Sequence, residues 1–279
     1  MLLSIIIPAY NEEKTIEEVI RRVKAVDLNN IEKDDLKEHN LKKHTITEHN
    51  TKENKIKQDN TKGYNTRKHN PKQDNLKENR IKKEIIIVDD GSSDRTREIL
   101  INIKDPSVRV FFHKKNSGKG SAIRTGLKQA KGDIIMIQDA DLEYDPEDYK
   151  KLIKPILNKE TKVVFGSRFL KKHKAKYRLF YFGNILLSKL TSLLYFQKIT
   201  DVETCYKMFR KEVLNNISLK AKRFDFEPEI TAKIIRQGYK IKEVPIWYKC
   251  RDFKEGKKIG WKDGVWAVFS LFKFRFSRL

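Results

Sequence analysis

Short apolar runs that end abruptly in proline, glycine or acid recur along this chain, and a stretch with helical spacing follows most of them. That alternation limits the fold more than any other feature. Residues 2–7 are apolar, stop at Pro8 and read as a buried strand. Ile16, Val19, Ile20, Val23 and Val26 then repeat at helical intervals, with Asn11 as the expected cap. Residues 85–88 form a second strand, followed by Asp89-Asp90-Gly91-Ser92-Ser93-Asp94 and a helix through Leu100 and Ile103. Residues 108–112 make a third strand, and beyond Gly118 and Gly120 a helix turns Ala122, Ile123, Leu127 and Ala130 inward. Residues 134–137 and 163–165 add a fourth and a fifth. Strands alternating with helices predict an α/β fold on a mostly parallel sheet flanked by helices. Ligands of such sheets collect beyond the carboxyl ends of the strands. The polar clusters at 8–12, 89–94 and 138–143 should therefore face one crevice.

Residues 29–83 break the alternation. They are rich in Lys, Asn, Glu, Thr and His and almost lack bulky apolar side chains. Asn40, Asn50, Asn60 and Asn70 recur every ten residues, each followed two positions later by Lys42, Lys52, Lys62 or Lys72 and preceded by His39, His49, Asp59 or His69. Solenoid repeats bury an apolar face, and this repeat has none to bury. The stretch is expected to be a disordered low-complexity insert. It would divide one domain into 1–28 and 84–250, with 251–279 as a C-terminal amphipathic segment. Four of the six histidines lie in the insert, in a sparse, carboxylate-poor setting that speaks against a metal site.

The insert also explains the low hydrophobic content of 38%. Lys and Arg number 61 against 38 Asp and Glu, a net charge of +23, and the surplus is not confined to the insert. Such a charge favours a polyanionic partner: nucleic acid, anionic lipid or a phosphorylated substrate. Cys205 and Cys250 are far apart in sequence and read as reduced thiols. The N-terminal run lacks the basic leader of a secretory signal. No run reaches the roughly 18 apolar residues of a membrane span, and the nearest, 180–196, contains Asn184 and Lys189. The expectation is a soluble or membrane-surface protein. Residues 179–196 and 261–276 mix aromatic, aliphatic and basic residues, which suits either helices lying in the headgroup zone or ordinary core-packing helices.

Asp139-Ala140-Asp141 follows the fourth strand, with Glu143 two residues on. Alternate residues of an extended segment point the same way. Asp139, Asp141 and Glu143 are therefore candidates to hold one hard cation, Mg²⁺ or Mn²⁺, whose shell substrate phosphates would complete. Acids at a strand end also serve as turn formers and caps. The loop Asn116-Ser117-Gly118-Lys119-Gly120-Ser121 is neither a Walker loop, whose first glycine would fall at His113, nor a dinucleotide fingerprint, whose third small residue would fall at Ile123. It either approaches a ligand or caps a helix.

Several ordered motifs together resemble glycosyltransferase family 2. They are SIIIPAYNE at 4–12, DDGSSD at 89–94, NSGKGSAIRTGL at 116–127, DADLEYDPED at 139–148, GSRF at 166–169, DVETCYKMF at 201–209, FEPEIT at 226–231 and EVPIWYKCRDFKEGKKIGWKDG at 243–264. The likeness is to the polyprenyl-phosphate branch typified by dolichyl-phosphate mannose synthase, and it covers nearly the whole chain outside the insert. It implies a Rossmann-like catalytic domain of the GT-A type. It implies a nucleotide-sugar donor, a GDP- or UDP-hexose, bound by Pro8, Tyr10, Glu12, Val88, Asp90, Asp139, Ala140 and Asp141. Metal is implied at Asp139 and Asp141, with Glu143 standing where some relatives have Gln. Arg168 and Arg251 match basic residues that meet the acceptor phosphate, which makes Asp141 and Arg168 the expected catalytic residues. The implied acceptor is a polyprenyl phosphate, dolichyl or undecaprenyl, used with inversion at the cytoplasmic face of the membrane, and a separate membrane-anchoring subunit is an implied partner. Asp141 or Glu227 is the candidate base, and Glu227 and Glu229 beside Pro228 read equally well as first-turn helix acids. A non-lipid glycan acceptor is the enzymatic alternative. A nucleic-acid-binding protein is the other rival, but it leaves the acidic clusters without a role, so no nucleic-acid partner is expected.

Overall fold

The computed structural model describes residues 1–29, 80–171, 177–251 and 261–276. The chain divides into two units, Met1–Val26 with Ile81–Leu279, and Asp27–Arg80. The fold and the candidate site belong to the first. Of the insert expected at 29–83, Lys82 and Lys83 instead begin a strand, and 30–79, with the ten-residue repeat and its histidines, lie outside the described residues.

In chain order the elements are β1 (Leu2–Ala9), α1 (Ile16–Ala25), β2 (Lys82–Asp89), α2 (Thr96–Ile101), β3 (Val108–Phe112), α3 (Lys119–Gln129), β4 (Ile134–Ile137), α4 (Tyr149–Leu157), β5 (Val163–Ser167), α5 (Arg178–Tyr195), β6 (Lys207–Arg210), α6 (Phe226–Arg236), β7 (Ile241–Pro245) and α7 (Trp261–Phe276). The strands form one sheet in the order β3-β2-β1-β4-β6-β5-β7. Only β6 runs antiparallel to its neighbours. Strands β1 and β4 are buried on both faces, which is why their sequences are unbroken apolar runs rather than alternating ones. Helix α3 lies directly on β1: a Cβ on Gly126 would run into the Ile6 side chain.

The register sets the crevice. Ala9 pairs with Asp89, and Ile6 with Ile137. The Asp90 N–H donates to Ala9 O (2.8 Å) and the Gln138 N–H to Ile6 O (3.0 Å). The three polar clusters thus leave the sheet side by side. Below them, Lys83 ties β2 to the end of α1, its ammonium donating to the carbonyls of Val23 (2.9 Å), Lys24 (2.7 Å) and Val26 (2.6 Å).

One local expectation fails. Asn11 does not cap α1, whose N-cap is Thr15. Asn11 has φ 52°, and its carboxamide oxygen accepts from the Ser93 N–H (2.8 Å). It joins the β1–α1 loop to the β2–α2 loop, a use Asn suits because it tolerates the left-handed region.

Helix α7 packs on α5 and α6. The Tyr195 hydroxyl donates to Leu271 O (2.7 Å) and Arg236 to Phe274 O (2.6 Å). Ala267, Ser270, Leu271 and Phe274 are buried, while Val265, Trp266, Phe269 and Phe276 are exposed. Helix α5 buries Leu187, Ser188 and Thr191 and exposes Phe182, Leu186 and Leu193, the last at 71%. Each helix therefore has a packed face and an exposed apolar face. No helix among the described residues is long and apolar enough to cross a membrane.

Candidate active site

The turn after β4 carries Asp139 and Asp141, and each meets a different cation. Asp139 Oδ1 lies 2.7 Å from Lys119 Nζ, at the start of α3. Burial works to raise the Asp139 carboxyl, but the Lys119 ammonium outweighs it and holds the group below the usual carboxylate range. Asp141 Oδ2 lies 2.8 Å from Arg251 Nη2, and its Oδ1 accepts the Glu143 N–H (3.0 Å). Burial and the charges of Asp139 and Glu143 push Asp141 up to about 8 despite Arg251. Arg251 also reaches Glu12 (3.0 Å). Glu143 accepts the Arg251 backbone N–H (2.8 Å) and the Tyr248 hydroxyl (2.9 Å). Residues 248–251 are thereby laid against the acidic turn.

A buried charge chain stands behind this layer. Glu227, on the first turn of α6, lies between Lys119 (3.4 Å) and Lys207 (2.7 Å). Lys207 is fully buried, donates to Val202 O (2.9 Å) and Thr204 O (2.5 Å), and sits over the Phe165 ring. The series Lys207–Glu227–Lys119–Asp139 alternates in sign, which compensates charges that would otherwise be costly to bury. Nearby, Arg168 forks onto Asp201 with two 2.7 Å bonds and stacks on the Tyr248 ring, 5.0 Å from its centroid. Glu203 Oε1 is buried and has no hydrogen-bond partner among the described residues. Burial, then the charge of Glu227, pushes its carboxyl up to about 7.

A parallel sheet with paired acids at the end of β4 narrows the choice, and sequence comparison closes it. Residues 73–218 match the sequence model of the family described as glycosyl transferase family 2. The chain belongs to glycosyltransferase family 2. It is 36% identical over 186 residues to the dolichol-phosphate mannosyltransferase of Pyrococcus furiosus, covering 63% of this chain and 51% of that protein. It is 34% identical over 183 residues to the UDP-N-acetylglucosamine–dolichyl-phosphate N-acetylglucosaminyltransferase of Methanococcus voltae, covering 58% and 73%. The chain thus spans about half the length of the first relative and nearly three quarters of the second. Its fold is similar to that of Mycobacterium tuberculosis glucosyl-3-phosphoglycerate synthase crystallised with Mn²⁺, UDP and glucosyl-3-phosphoglycerate: TM-score 0.61, 18% identity, 98% of this chain and 79% of that one. The seven-stranded sheet flanked by helices is the GT-A-like fold.

Within this glycosyltransferase the expected site residues fall into two sets. Glu12, Asp139, Asp141, Glu143 and Arg251 are brought together by the contacts above. Pro8 and Val88 are buried register partners in β1 and β2, and Tyr10 follows at the strand end. Ala140 is buried, its carbonyl accepting the Thr15 hydroxyl (2.9 Å). Asp90 is hydrogen-bonded to the loop that follows β3: Oδ1 accepts the Ser117 N–H (3.0 Å) and faces His113 Nδ1 (2.7 Å), and Oδ2 accepts the Gly118 N–H (2.7 Å). It braces the loop before α3, where Gly118 has φ 94°. Arg251 lies on Glu12 and Asp141, on the side expected to hold donor and metal.

The expected trio of metal ligands, Asp139, Asp141 and Glu143, is engaged with cations of the protein itself. Among the described residues no three His, Cys, Asp or Glu side chains converge to hold an ion. Asp139 turns to Lys119, while Asp141 and Glu143 both turn to Arg251. A two-ligand arrangement still fits, because Mg²⁺ often takes one or two carboxylates and leaves its other positions to water and phosphate. Asp141 is buried, crowded by negative neighbours and raised, which is the setting a divalent cation would relieve.

Residue-by-residue reading missed Lys207, Asp201 and Tyr248 as parts of the site, and the bridging role of Glu227. One signal was available: a lysine at 207 between Tyr206 and Met208 is an anomaly in a buried strand, and such lysines require partners.

Proposed function

We propose that the enzyme transfers a hexose, with inversion, from a nucleotide-diphosphate sugar to a polyprenyl phosphate at the cytoplasmic face of a membrane. The observation that carries this reading is the pair of acids at the end of β4, Asp141 buried and Asp139 partly so, each matched to an internal cation. Asp139 and Asp141 would hold Mg²⁺ or Mn²⁺. That ion would offset the charge that develops on the departing diphosphate. Lys119 stands on Asp139 and Arg251 on Asp141, and both offer donor groups to a diphosphate; the Arg251 Nε–H makes no hydrogen bond among the described residues and faces Glu143 Oε1 at 3.7 Å. Lys207 and Glu227 fix Lys119 from behind. The acceptor oxygen of a phosphate monoester is already anionic and needs little help from a base. It forms the new bond to the anomeric carbon from the face opposite the leaving group, and the electron pair of the broken C–O bond stays with the diphosphate. Arg168 supports the acceptor side: Asp201 holds Nε and Nη2, which leaves the Nη1 protons for a phosphate. The exposed apolar faces of α5 and α7 support a membrane-surface setting.

The test is incubation with polyprenyl phosphate and a panel of labelled nucleotide sugars, with the lipid product read by mass spectrometry. Formation of a lipid-phosphate hexose that ceases in excess EDTA is the expected result. A second reading rests on Glu203. A glycan acceptor presents a hydroxyl, which needs a base, and a buried carboxyl near 7 is suited to that task. Under this reading Glu203→Gln stops transfer; under the first it leaves transfer to lipid phosphate largely intact.

A further inference from the structure

A second cleft, of about 1180 Å³, opens beside the carboxyl end of β3. It is lined by the loop 112–117, by Ser121, Arg124 and Thr125 on the outer side of α3, by residues 220–225 ahead of α6, and by Trp266 of α7. None of Asp139, Asp141 or Glu143 lines it. Its charge is one-sided: Lys114, Lys115, Lys220, Lys222 and Arg223 contribute cations, and Asp225 is the single acid in the lining. No carboxylate among the described residues pairs with any of those five side chains, and all five residues are exposed. Asp225 is occupied with the Arg223 backbone N–H (2.8 Å).

Uncompensated cations repel one another, and nothing in the packing requires them to face a common space. The cost is offset when an anion enters. The cleft's other wall indicates which anion. Trp266 is 62% exposed and lies on the helix whose outer side presents Val265 and Phe269. An aromatic, apolar helix face beside a basic hollow matches the two layers of a membrane surface, acyl chains and charged headgroups. The volume exceeds what one phosphate ion fills and has room for a whole headgroup.

We propose that this cleft is a headgroup site for anionic phospholipid, separate from the carboxylate crevice, seating the enzyme on the membrane beside α7. The inference rests on the membrane-surface reading given above. Its readout is lipid binding rather than transfer, so the two fail independently.

The test compares the full chain with two triple variants of equal charge loss. K220Q/K222Q/R223Q empties the cleft of cations. K104Q/K128Q/K131Q removes exposed lysines near the opposite ends of the strands. Each is sedimented with vesicles of phosphatidylcholine, or of equal parts phosphatidylcholine and phosphatidylglycerol. The cleft variant should lose about tenfold or more in affinity for the anionic vesicles, since each cation near such a surface contributes substantially. The control should lose less than about threefold, and UDP and GDP binding should be unchanged in both. In the unmodified protein, anionic vesicles should shield Lys220 and Lys222, but not Lys104, from acetylation read by mass spectrometry; this arm does not depend on a variant folding. Equal losses in both variants, or no shielding, would overturn the proposal. So would loss of nucleotide binding in the cleft variant, which would make the cleft part of the donor site, or tighter binding of RNA than of anionic vesicles.

Discussion

The crevice and the basic cleft are both rich in cations, yet they treat them in opposite ways. In the crevice Lys119, Lys207, Arg168 and Arg251 are each matched to a carboxylate at 2.7–3.0 Å. In the cleft Lys114, Lys115, Lys222 and Arg223 have no such partner. Paired cations are held in geometry and change hands only when a competing anion or cation arrives, which suits selective chemistry. Unpaired cations attract any anion at range and are weakened by salt, which suits docking.

The sharpest way to break this contrast is Asp141→Ala. Removing a carboxylate from the paired region should lower transfer by about a thousandfold or more with little change in melting temperature, since electrostatic and metal terms dominate such sites. Undiminished turnover would end the metal role. Arg168→Lys keeps charge but loses the fork. Charged hydrogen bonds contribute roughly 1.5–3 kcal/mol, so transfer efficiency should fall by about one to two orders of magnitude. If melting temperature falls while KM for lipid phosphate and kcat stay constant, Arg168 only braces Asp201.

A smaller effect concerns pH. The Glu203 carboxyl titrates near 7 in the folded chain against 4.5 ordinarily, so between those values the folded state holds more protons than the unfolded one. Stability contributed by the protonated form is therefore lost as pH rises through that window. In EDTA, unfolding free energy should decline by about 3 kcal/mol from pH 4.5 to 7 on this account, and Glu203→Gln should flatten that part of the slope. A slope unchanged in the variant would remove Glu203 as its source. The smallest effect is expected for joining residue 28 to residue 80 through a short linker. Loop closure depends weakly on length, so denaturant titration should show a shift of about 1 kcal/mol, and a variant that cannot fold would make the insert structural.

Much of the fold was legible because parallel strands buried on both faces must be continuously apolar; β1, β2 and β4 announce themselves in this way. Strand β6 did not, being four residues long and opening with a buried lysine. The acidic cluster at 139–143 was legible as a local feature. Its partners were not, because Lys119 and Arg251 reach it directly, with Glu227 and Lys207 behind Lys119, from four separate segments, and no spacing rule connects residues so far apart in sequence. Asn11 misled for a related reason: a capping residue and a loop-bridging residue have the same chemistry, and only the fold chooses between them.

The clamp made by Lys83 has a genetic consequence. It draws the last turn of α1 onto the first residues of β2, and the Lys82 N–H donates to Met1 O (3.0 Å), so strand register is fixed by residues on either side of 27–80. A tract that repeats every ten residues invites gain or loss of whole copies during replication. Because the clamp closes the catalytic unit ahead of that tract, such changes in copy number leave the register of the sheet untouched. A chain lengthened or shortened there by ten residues is therefore expected to keep β1 paired with β2 in the same register.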